Sequence, residues 1–493
     1  MPPEAARPVR PLRSRRDFLK FSGAVGGGIA VGALLAACAP AGSTSTTRTT
    51  VRLWTVAAGP TDESFLRGQL DAFEQANPAI RVDLQVFPAD QYANAMQLAF
   101  TSGDSPDVFR QASGQGIDLL SAHGRNWVHP ITEFLDDDFT GRFPERVYDP
   151  ELSSLFIDGE AYGVPSADPV TSATRLLYYN EEILAGAGFS SAPSTWSEFA
   201  EAAEKITRDG GGDVFGTALV GTSPSIFILQ NLAGPQPFRD VATSPLSLLT
   251  GAPALAEPST LETVSYLSDL NARGILTPGW ESWNSNEAIQ QMASGRLGMY
   301  MFPNFHAAEL RRANPDLPLG IAAPPVPDSG KAGTRAAQDN VLGWWMMGSE
   351  TESPEAAWQV LDFLGSVDFQ RAASSELGDI SVMPGVYEGQ DVDPDVVRIR
   401  EIADEIVRYA PNPFLADPSA SALYAELLAG QPTPAPRELL FEAITRGSDF
   451  RPVAEQYDET IAALLPDALA ASGLSDMSAF TFPEWNPLED YAG

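Results

Sequence analysis

Strand-like and helix-like segments alternate along the first part of this chain, and their order restricts the fold more than any other feature. Apolar runs at Val51–Val56 and Asp107–Phe109 and a strict alternation at Arg81–Phe87 predict three strands. Helices are predicted between them at Asp62–Ala76 and Gln91–Thr101. Strand, helix, strand, helix, strand is the opening of a parallel sheet with right-handed crossovers, so the sequence predicts an α/β fold.

The ends of these strands indicate where a ligand would bind. In open parallel sheets the ligand crevice lies beyond the carboxyl ends of the strands. This rule selects the loops Trp54–Thr61 and Phe109–Gly116. Trp54 and Gln111 are therefore candidate ligand-binding residues.

The stretch from Gly159 to Ala203 predicts a passage between two structural units. Two predicted strands, the second beginning at Arg175, flank a Ser-, Asp- and Thr-rich loop that contains Asp168. A helix then begins at a capping box, in which Thr195 and Glu198 each satisfy a backbone amide of the first turn. A strand, a polar loop, a strand and a helix in this order are expected where the chain crosses from one unit to the next.

Several short patterns resemble family 1 extracellular solute-binding proteins, the substrate receptors of ABC importers for sugars. They are SGDSPDVF at 102–109, AYGVP at 161–165, LYYN at 177–180 and TWSEFAEAAEKIT at 195–207. The resemblance implies a two-lobed, periplasmic-binding-protein-like α/β fold with mostly parallel sheets and a hinge between the lobes. Lobe one is expected at 51–168 plus about 326–380, and lobe two at 169–325 plus about 381–493.

The first 38 residues are typical of an export signal. A basic region containing Arg15 and Arg16 precedes a Gly- and Ala-rich apolar run that is too short to span a bilayer. The paired arginines indicate the twin-arginine route. Cys38 is the only cysteine, and its position after Leu-Ala-Ala resembles the lipobox of bacterial lipoproteins, which implies lipidation. Residues 39–50 are expected to form a flexible tether, so the protein would be exported and anchored to the outer face of the cell membrane.

The charge of the chain argues against several classes of partner. The formal net charge is −34, and the leader contributes +4, so the mature chain carries about −38. A polyanion of this size repels nucleic acid and anionic lipid headgroups. We therefore expect no nucleic-acid partner, and membrane association through the lipid anchor alone.

The sequence contains none of the short motifs that mark common catalytic centres. GxSxG, HExxH, a phosphate-binding loop and a cysteine pair are absent, and His123, His129 and His306 lack metal-ligand spacing. An Asp-rich run at 391–395 fails as a calcium loop because Val396 stands where glycine is needed. The sequence therefore predicts no enzyme, no metal and no cofactor. A glycosidase-like pair of carboxylates would not be visible in a chain so rich in Asp and Glu.

Aromatic side chains in loop-like positions suit a sugar site instead. Aromatic faces cover the apolar C–H patches of a pyranose, and fixed polar groups hold its hydroxyls. The candidates in such loops are Trp54, Trp280, Trp283, Phe305 and Trp344.

The family resemblance adds further site residues. ASGRLGMYMFPNF, at 293–305, resembles the segment whose last aromatic residue stacks on the sugar, which implies Asn304 and Phe305. DNVLGWW, at 339–345, resembles a cleft-lining turn and nominates three residues, Asn340, Gly343 and Trp344. The turn from Gly378 to Pro384 nominates Asp379, and Asp168 is the carboxylate expected to bind a sugar hydroxyl.

These features together favour a monomeric lipoprotein that closes over a neutral sugar or oligosaccharide and delivers it to the transmembrane subunits of an ABC permease. Two alternatives stay open at this point. One is a surface enzyme acting on carbohydrate, and the other is a binding protein for a polyol or a glycerol-phosphate-type ligand.

Overall fold

A computed structural model describes residues 48–56, 60–112, 117–150, 153–166, 168, 174–220, 225–235, 237–238, 246–337 and 345–491. The expected signal peptide, the expected lipidation site Cys38 and most of the expected tether lie outside these residues. The tether prediction is too long at its end, because Thr49 and Thr50 already belong to the first strand. Within the described ranges, no helix has the length and apolar character needed to span a bilayer.

The strands of the described residues follow the chain in this order: β1 (Thr49–Val56), β2 (Ile80–Phe87), β3 (Val108–Arg110), β4 (Phe156–Ile157), β5 (Glu160–Ala161), β6 (Gly163–Val164), β7 (Arg175–Asn180), β8 (Phe215–Thr217), β9 (Leu297–Pro303), β10 (Leu319–Ala322), β11 (Arg335–Ala337), β12 (Trp345–Met347) and β13 (Val407–Tyr409).

The helices are α1 (Pro60–Ala76), α2 (Ala89–Ser102), α3 (Leu119–Gly124), α4 (Asp137–Thr140), α5 (Glu181–Gly186), α6 (Trp196–Asp209), α7 (Ser225–Ala233), α8 (Pro258–Ala272), α9 (Ser285–Ala293), α10 (His306–Ala313), α11 (Pro354–Leu364), α12 (Val367–Leu377), α13 (Pro394–Ile406), α14 (Pro413–Ala416), α15 (Ala420–Ala429), α16 (Pro436–Arg446) and α17 (Arg451–Ser472).

Sheet one has the strand order β2-β1-β3-β12-β6. Strands β1, β2 and β3 are parallel, as the alternation of strands and helices predicts, and β12 is antiparallel to β3 and β6. Both faces are covered. Leu53 and Val108 pack in one hydrophobic cluster with helices α1, α11 and α12, whereas Trp54 and Phe109 pack in another with α2. Adjacent strand residues thus enter opposite cores, as the two-residue period of a strand requires.

Sheet two has the order β10-β7-β9-β8 and forms the centre of the second lobe. Strand β7 is antiparallel to β9 and to β10, and only β8 is parallel to β9. A large apolar cluster covers this sheet and includes helices α6, α8 and α13. The α/β, two-lobed fold expected from the sequence is therefore confirmed, with a second sheet that is mixed in direction.

Local signals in the sequence placed several helix boundaries correctly. The capping box is present at the start of α6, where Thr195 accepts from the Glu198 amide and the Glu198 carboxylate accepts from the Thr195 amide. Apolar residues at helical spacing continue from Asp395 to Tyr409, but helix α13 stops at Ile406, and β13 follows and pairs with β11.

The chain connects the lobes through paired backbone segments. The segment after β6 lies beside the segment after α12, because the Asp168 amide donates to the Ile380 carbonyl at 2.9 Å and the Val382 amide donates to the Ser166 carbonyl at 3.2 Å. The Ser166 hydroxyl also donates to Gln370 at 3.1 Å. Two neighbouring extended segments of this kind can bend together while both lobes stay rigid.

His306, at the start of α10, belongs to the core of lobe two. It is fully buried, its Nδ1 lies 2.8 Å from the Tyr300 hydroxyl, and its ring stacks on Phe302 at 3.8 Å. Burial lowers the pKa of His306 to about 3, so the ring is neutral at ordinary pH.

This buried histidine predicts a specific sensitivity to acid. Between pH 6.5 and about 3 the unfolded state binds a proton that the native state does not, so each unit of falling pH costs about 1.4 kcal/mol of stability. His306→Gln keeps a polar side chain without this titration. Urea unfolding at pH 7.5 and 4.5 should show a loss in the wild-type protein that exceeds the loss in the variant by roughly 2 to 3 kcal/mol. Equal losses in the two proteins would contradict the prediction.

The contact between β8 and α6 gives a second prediction. A Cβ added at Gly216 would lie 1.9 Å from the backbone oxygen of Ala203, and backbone atoms cannot move aside cheaply. Gly216→Ala should therefore lower the free energy of unfolding by about 3 kcal/mol. Gly186→Ala, at the end of α5 with nothing within 4 Å of the added carbon, is the matched control and should be neutral or slightly stabilising. A Gly216→Ala protein as stable as the control would refute this description of the contact.

Candidate ligand-binding cleft

The carboxyl ends of the parallel strands of sheet one form a common edge. Strands β1, β2 and β3 end there at Val56, Phe87 and Arg110. Strand β12 begins at the same edge, because Trp345 is paired with Arg110 and, on its other side, with Val164. All five strands of sheet one therefore begin or end at this edge. In open α/β sheets, ligands bind at such an edge.

Arg110 is held rigidly at this edge. One of its guanidinium nitrogens donates to the Val56 carbonyl at 2.9 Å. The Tyr92 hydroxyl, buried beneath the edge, donates to the Arg110 carbonyl at 2.9 Å and lies 3.3 Å from the Trp54 carbonyl. Burial raises the pKa of Tyr92, so the phenol keeps its proton. These bonds hold Arg110, which is half-buried, in one orientation.

Two carboxylates act on Arg110, and we call Asp62, Arg110 and Asp379 the charge cluster. Burial lowers the pKa of Arg110, and the charges of Asp379 and Asp62 oppose that effect. Burial raises the pKa of Asp379, whereas the charge of Arg110 lowers it and that of Asp62 raises it again. Asp379 is nevertheless accessible to solvent. A carboxylate that is accessible to solvent and also lies close to charged groups and packed protein atoms is typical of the floor of a cleft.

The end of α12 brings Asp379 to this position. Helix α12 terminates at Gly378 in the left-handed conformation, with φ of 77°. A Cβ at Gly378 would lie 2.4 Å from the Cβ of Ala308 in α10, so only glycine permits this approach. Asp379 therefore follows a point where a helix of the first lobe meets a helix of the second.

An exposed aromatic ring stands beside the start of α10. Phe305 is 50% exposed and packs edge-on against Phe302 and His306, with ring centroids 6.0 and 4.9 Å away. The Tyr178 hydroxyl fixes the preceding turn, since it lies 2.9 Å from the Pro303 carbonyl and 3.0 Å from the Asn304 carbonyl. Phe305 thus presents a rigidly supported apolar surface to solvent.

Asn304 and Asp168 line two separate cavities at the junction of the lobes. Asn304 is half-buried and lines a cavity of about 610 Å³ together with Gly378. Asp168 lines a cavity of about 230 Å³ with Arg146, which lies over the Tyr409 ring at 3.8 Å. Asp168 therefore lies beside the paired backbone segments, and its role in binding a ligand stays a prediction.

Two of the tryptophans proposed for stacking belong to the cores, and these proposals need correction. Trp54 is 8% exposed and packs on Phe87 with ring centroids 4.7 Å apart. Trp280 is 1% exposed, donates to Asn271 at 3.2 Å and packs on Phe441. Neither ring has a free face, because sheet one is covered on both sides and the loop around Trp280 folds against the core of lobe two.

The remaining proposed residues divide into those that the structure places and those outside the described residues. Gln111, directly after β3, is 9% exposed at the cleft edge. Trp283 is half-buried against the core of lobe two. Asn340, Gly343 and Trp344 fall outside the described residues, so their assignments stay predictions.

Sequence reasoning missed Arg110 and Asp62. Both follow from the rule that selected Gln111, because Arg110 is the last residue of β3 and Asp62 lies in the first turn of the helix after β1. Among the described residues, no group of three or more His, Cys, Asp or Glu is arranged to hold a metal ion.

Known proteins share sequence patterns and architecture with this chain. The profile of the bacterial extracellular solute-binding protein family matches residues 57–371, which is more than half of the chain. A solute-binding protein of an ABC transporter from Thermotoga lettingae, solved with alpha-D-tagatose, superposes with a TM-score of 0.63 at 19% identity. The match covers 84% of this chain and 99% of that one, which shows the shared two-lobed fold.

Two relatives by sequence extend the comparison. A putative binding protein of Brucella abortus (strain 2308) is 26% identical over 355 residues, covering 72% of this chain and 80% of the relative. The sn-glycerol-3-phosphate-binding periplasmic protein UgpB of Yersinia pseudotuberculosis is 22% identical over 341 residues, covering 64% of this chain and 71% of the relative. With the profile match and the fold, these similarities lead to one conclusion: the chain belongs to the bacterial extracellular solute-binding protein family.

Proposed function

We propose that this protein captures a neutral sugar or oligosaccharide between its lobes and delivers it to an ABC permease. The observation that carries the proposal is the carboxyl edge of sheet one, where Arg110 is fixed at the end of β3 and the charges of Asp62 and Asp379 act on it. Fixed guanidinium and carboxylate groups are suited to hold sugar hydroxyls. The solute-binding family and the tagatose-bound structural neighbour support the same reading.

The exposed ring of Phe305 supplies the apolar part of such a site. Covering roughly 100 Å² of an aromatic side chain contributes on the order of 2 to 3 kcal/mol before association entropy is subtracted. Aromatic contact and a few fixed polar groups together suit micromolar binding of a small sugar. A highly polar ligand with apolar C–H faces fits this combination better than a purely apolar one.

Closure of the lobes would follow from contacts that the ligand makes only in the closed state. The paired segments at Ser166–Asp168 and Ile380–Val382 are the hinge in this proposal. The proposed lobe boundaries near residues 168 and 380 fall within these paired segments. No bond is made or broken in the proposed cycle, and the protein acts as a monomer.

A second candidate ligand is sn-glycerol 3-phosphate. The Yersinia relative bears that ligand in its name, and Arg110 is a cation of the kind that binds phosphate. The proposal of a neutral sugar therefore has to be tested against this alternative.

Binding variants test the aromatic part of the site. Phe305→Ala and Trp344→Ala should each raise the Kd of the best ligand from a panel of mono-, di- and trisaccharides by about tenfold, with little change in Tm without ligand. Leu98→Ala removes a 69% exposed side chain of α2 and serves as the control that should leave the Kd unchanged. An unchanged Kd for either variant would remove that residue from the site. Conversion of a saccharide to product by the wild-type protein would favour a surface enzyme instead.

The location of the protein is a further part of the proposal. The leader is taken to direct twin-arginine export, and Cys38 to carry a lipid that holds the protein at the outer face of the membrane, next to the permease. The lipid would explain retention at the membrane, because acyl chains on one residue give stable anchoring.

Labelling and fractionation test this anchor. Wild-type cells fed a radiolabelled fatty acid should incorporate label into this protein, which should sediment with membranes. Cys38→Ala should lose the label and move to the soluble fraction, because the chain has one cysteine. Arg146→Lys, which leaves the leader intact, is the control and should behave like the wild type. Membrane association of Cys38→Ala without label would contradict lipid anchoring at this residue.

A further inference from the structure

We propose that a cavity at the hinge is a second ligand site, separate from the candidate cleft, and that it binds a small zwitterionic solute, namely an α-amino acid. The cavity has a volume of about 230 Å³, and its charged and aromatic lining residues are Arg146, Asp168, Tyr387, Arg400, Asp404 and Tyr409. We call it the hinge cavity, because Asp168, Ser381 and Val382 of its wall belong to the paired segments that connect the lobes. The inference goes beyond the proposed function, since it does not depend on what the cleft binds.

The wall of the hinge cavity is built from both lobes. Val147, the neighbour of Arg146, packs in the hydrophobic cluster of lobe one. Arg400 lies on α13, whose apolar face packs in the cluster of lobe two, and Tyr409 at the end of β13 packs against the same cluster. Tyr387 packs against both clusters. A ligand in this cavity would therefore contact both lobes beside the hinge.

Two guanidinium groups of the hinge cavity are held against aromatic rings. The guanidinium of Arg146 lies over the Tyr409 ring at 3.8 Å, and that of Arg400 lies over the Tyr387 ring at 4.6 Å. A cation–π contact attracts the guanidinium but supplies no oxygen acceptor to its N–H groups. Within the part of the chain that the structure describes, neither guanidinium forms an ion pair with a carboxylate, and the buried Nε of Arg146 has no hydrogen-bond partner.

Nearby arginines in the same segments do have carboxylate partners. Arg142 is paired with Asp138 at 2.9 Å and with Asp362 at 2.7 Å. Arg398 of α13 is paired with Glu401 at 3.2 Å. The sequence contains 65 Asp and Glu against 31 Lys and Arg, so carboxylates are abundant enough to pair with every cation. The two arginines of the hinge cavity are therefore open to the oxygen atoms of a ligand.

The hinge cavity also presents negative charge, and this decides the kind of ligand. Arg146 and Asp168 are half-buried, whereas Arg400 and Asp404 are exposed, so both signs of charge are present in the half-buried part and at the exposed rim. Two aspartates would repel a phosphate or a simple carboxylic acid, and two arginines would repel an amine. An α-amino acid offers a carboxylate to the arginines and an ammonium group to the aspartates.

The size of the cavity restricts the ligand further. Pockets for drug-sized ligands usually measure about 300 to 1,000 Å³. The hinge cavity is smaller, at about 230 Å³, and therefore suits a solute with few heavy atoms. In this inference Asp168 holds the ammonium group of that solute and not a sugar hydroxyl.

The test compares matched sets of compounds by isothermal titration calorimetry at neutral pH and constant ionic strength. Each set consists of an amino acid, the acid that lacks its ammonium group and the amine that lacks its carboxylate. The sets are glycine with acetate and methylamine, alanine with propionate and ethylamine, and serine with 3-hydroxypropionate and ethanolamine. The wild-type protein should bind at least one amino acid at least about tenfold more tightly than either of its analogues.

Variants of the four charged residues assign the binding to the hinge cavity. Arg146→Gln should raise the Kd of the best amino acid by about tenfold, because it removes a half-buried charge. Arg400→Gln should raise it by about threefold, since water screens an exposed charge. Asp168→Asn and Asp404→Asn should lower the preference for the amino acid over the matching acid, by about tenfold and about threefold respectively.

Matched controls lie on the same helix. Arg398→Gln and Glu405→Gln make the same charge changes on α13 at residues that do not line the hinge cavity, and should leave the Kd and the preference unchanged. Circular dichroism and Tm show which variants are folded. Arg400 is exposed, so Arg400→Gln provides a folded test protein even if Arg146→Gln does not fold.

Three results would overturn the inference. They are binding of none of the amino acids by the wild-type protein, equal Kd values for an amino acid and its analogues, and wild-type Kd values in the folded arginine variants. Saccharide titrations of the same proteins report on the cleft separately. A protein that binds no saccharide but binds an amino acid with the expected dependence on Arg146 and Asp168 would contradict the proposed function and support this inference.

Discussion

Burial of both faces of sheet one is the constraint on which the rest of this structure depends. Leu53 and Val108 enter one core and Trp54 and Phe109 the other, so no face of these strands remains for a ligand. Only the ends of the strands meet solvent. The carboxyl edge therefore carries the candidate site, and Tyr92 braces it from below by bonding to the backbone of β3 beside that of β1.

Asp379 of the candidate site lies close to a contact between the two lobes. Asp379 belongs to the segment that leaves lobe one, one residue after the contact between Gly378 and Ala308. A shift of the lobes would therefore change the contact between α12 and α10 beside Asp379. In the proposed cycle, contacts that a ligand makes only in the closed state would favour closure.

The candidate site has to meet two electrostatic requirements. Arg110 needs opposite charge nearby, and the site as a whole must not become cationic. A buried guanidinium is costly unless it is paired, and the two carboxylates offset that cost while keeping the site from becoming cationic. Lobe two contributes an apolar surface in Phe305, supported by a neutral, fully buried His306. In the proposed site, charge from one lobe and an aromatic ring from the other would suit a polar, uncharged ligand.

Much of this protein was readable in the sequence. The alternation of strands and helices determined the three parallel strands of sheet one, and the Thr195–Glu198 capping box determined the start of α6, because both depend on residues close together in the chain. The edge rule also located Gln111 and its neighbours. The sequence could not decide which tryptophans are buried, since Trp54 and Trp280 lie close to loops in the chain but inside cores in space. Nor could it show that Asp379 acts on Arg110, because Asp379 lies more than two hundred positions further along the chain and only the tertiary structure brings the two groups within electrostatic reach.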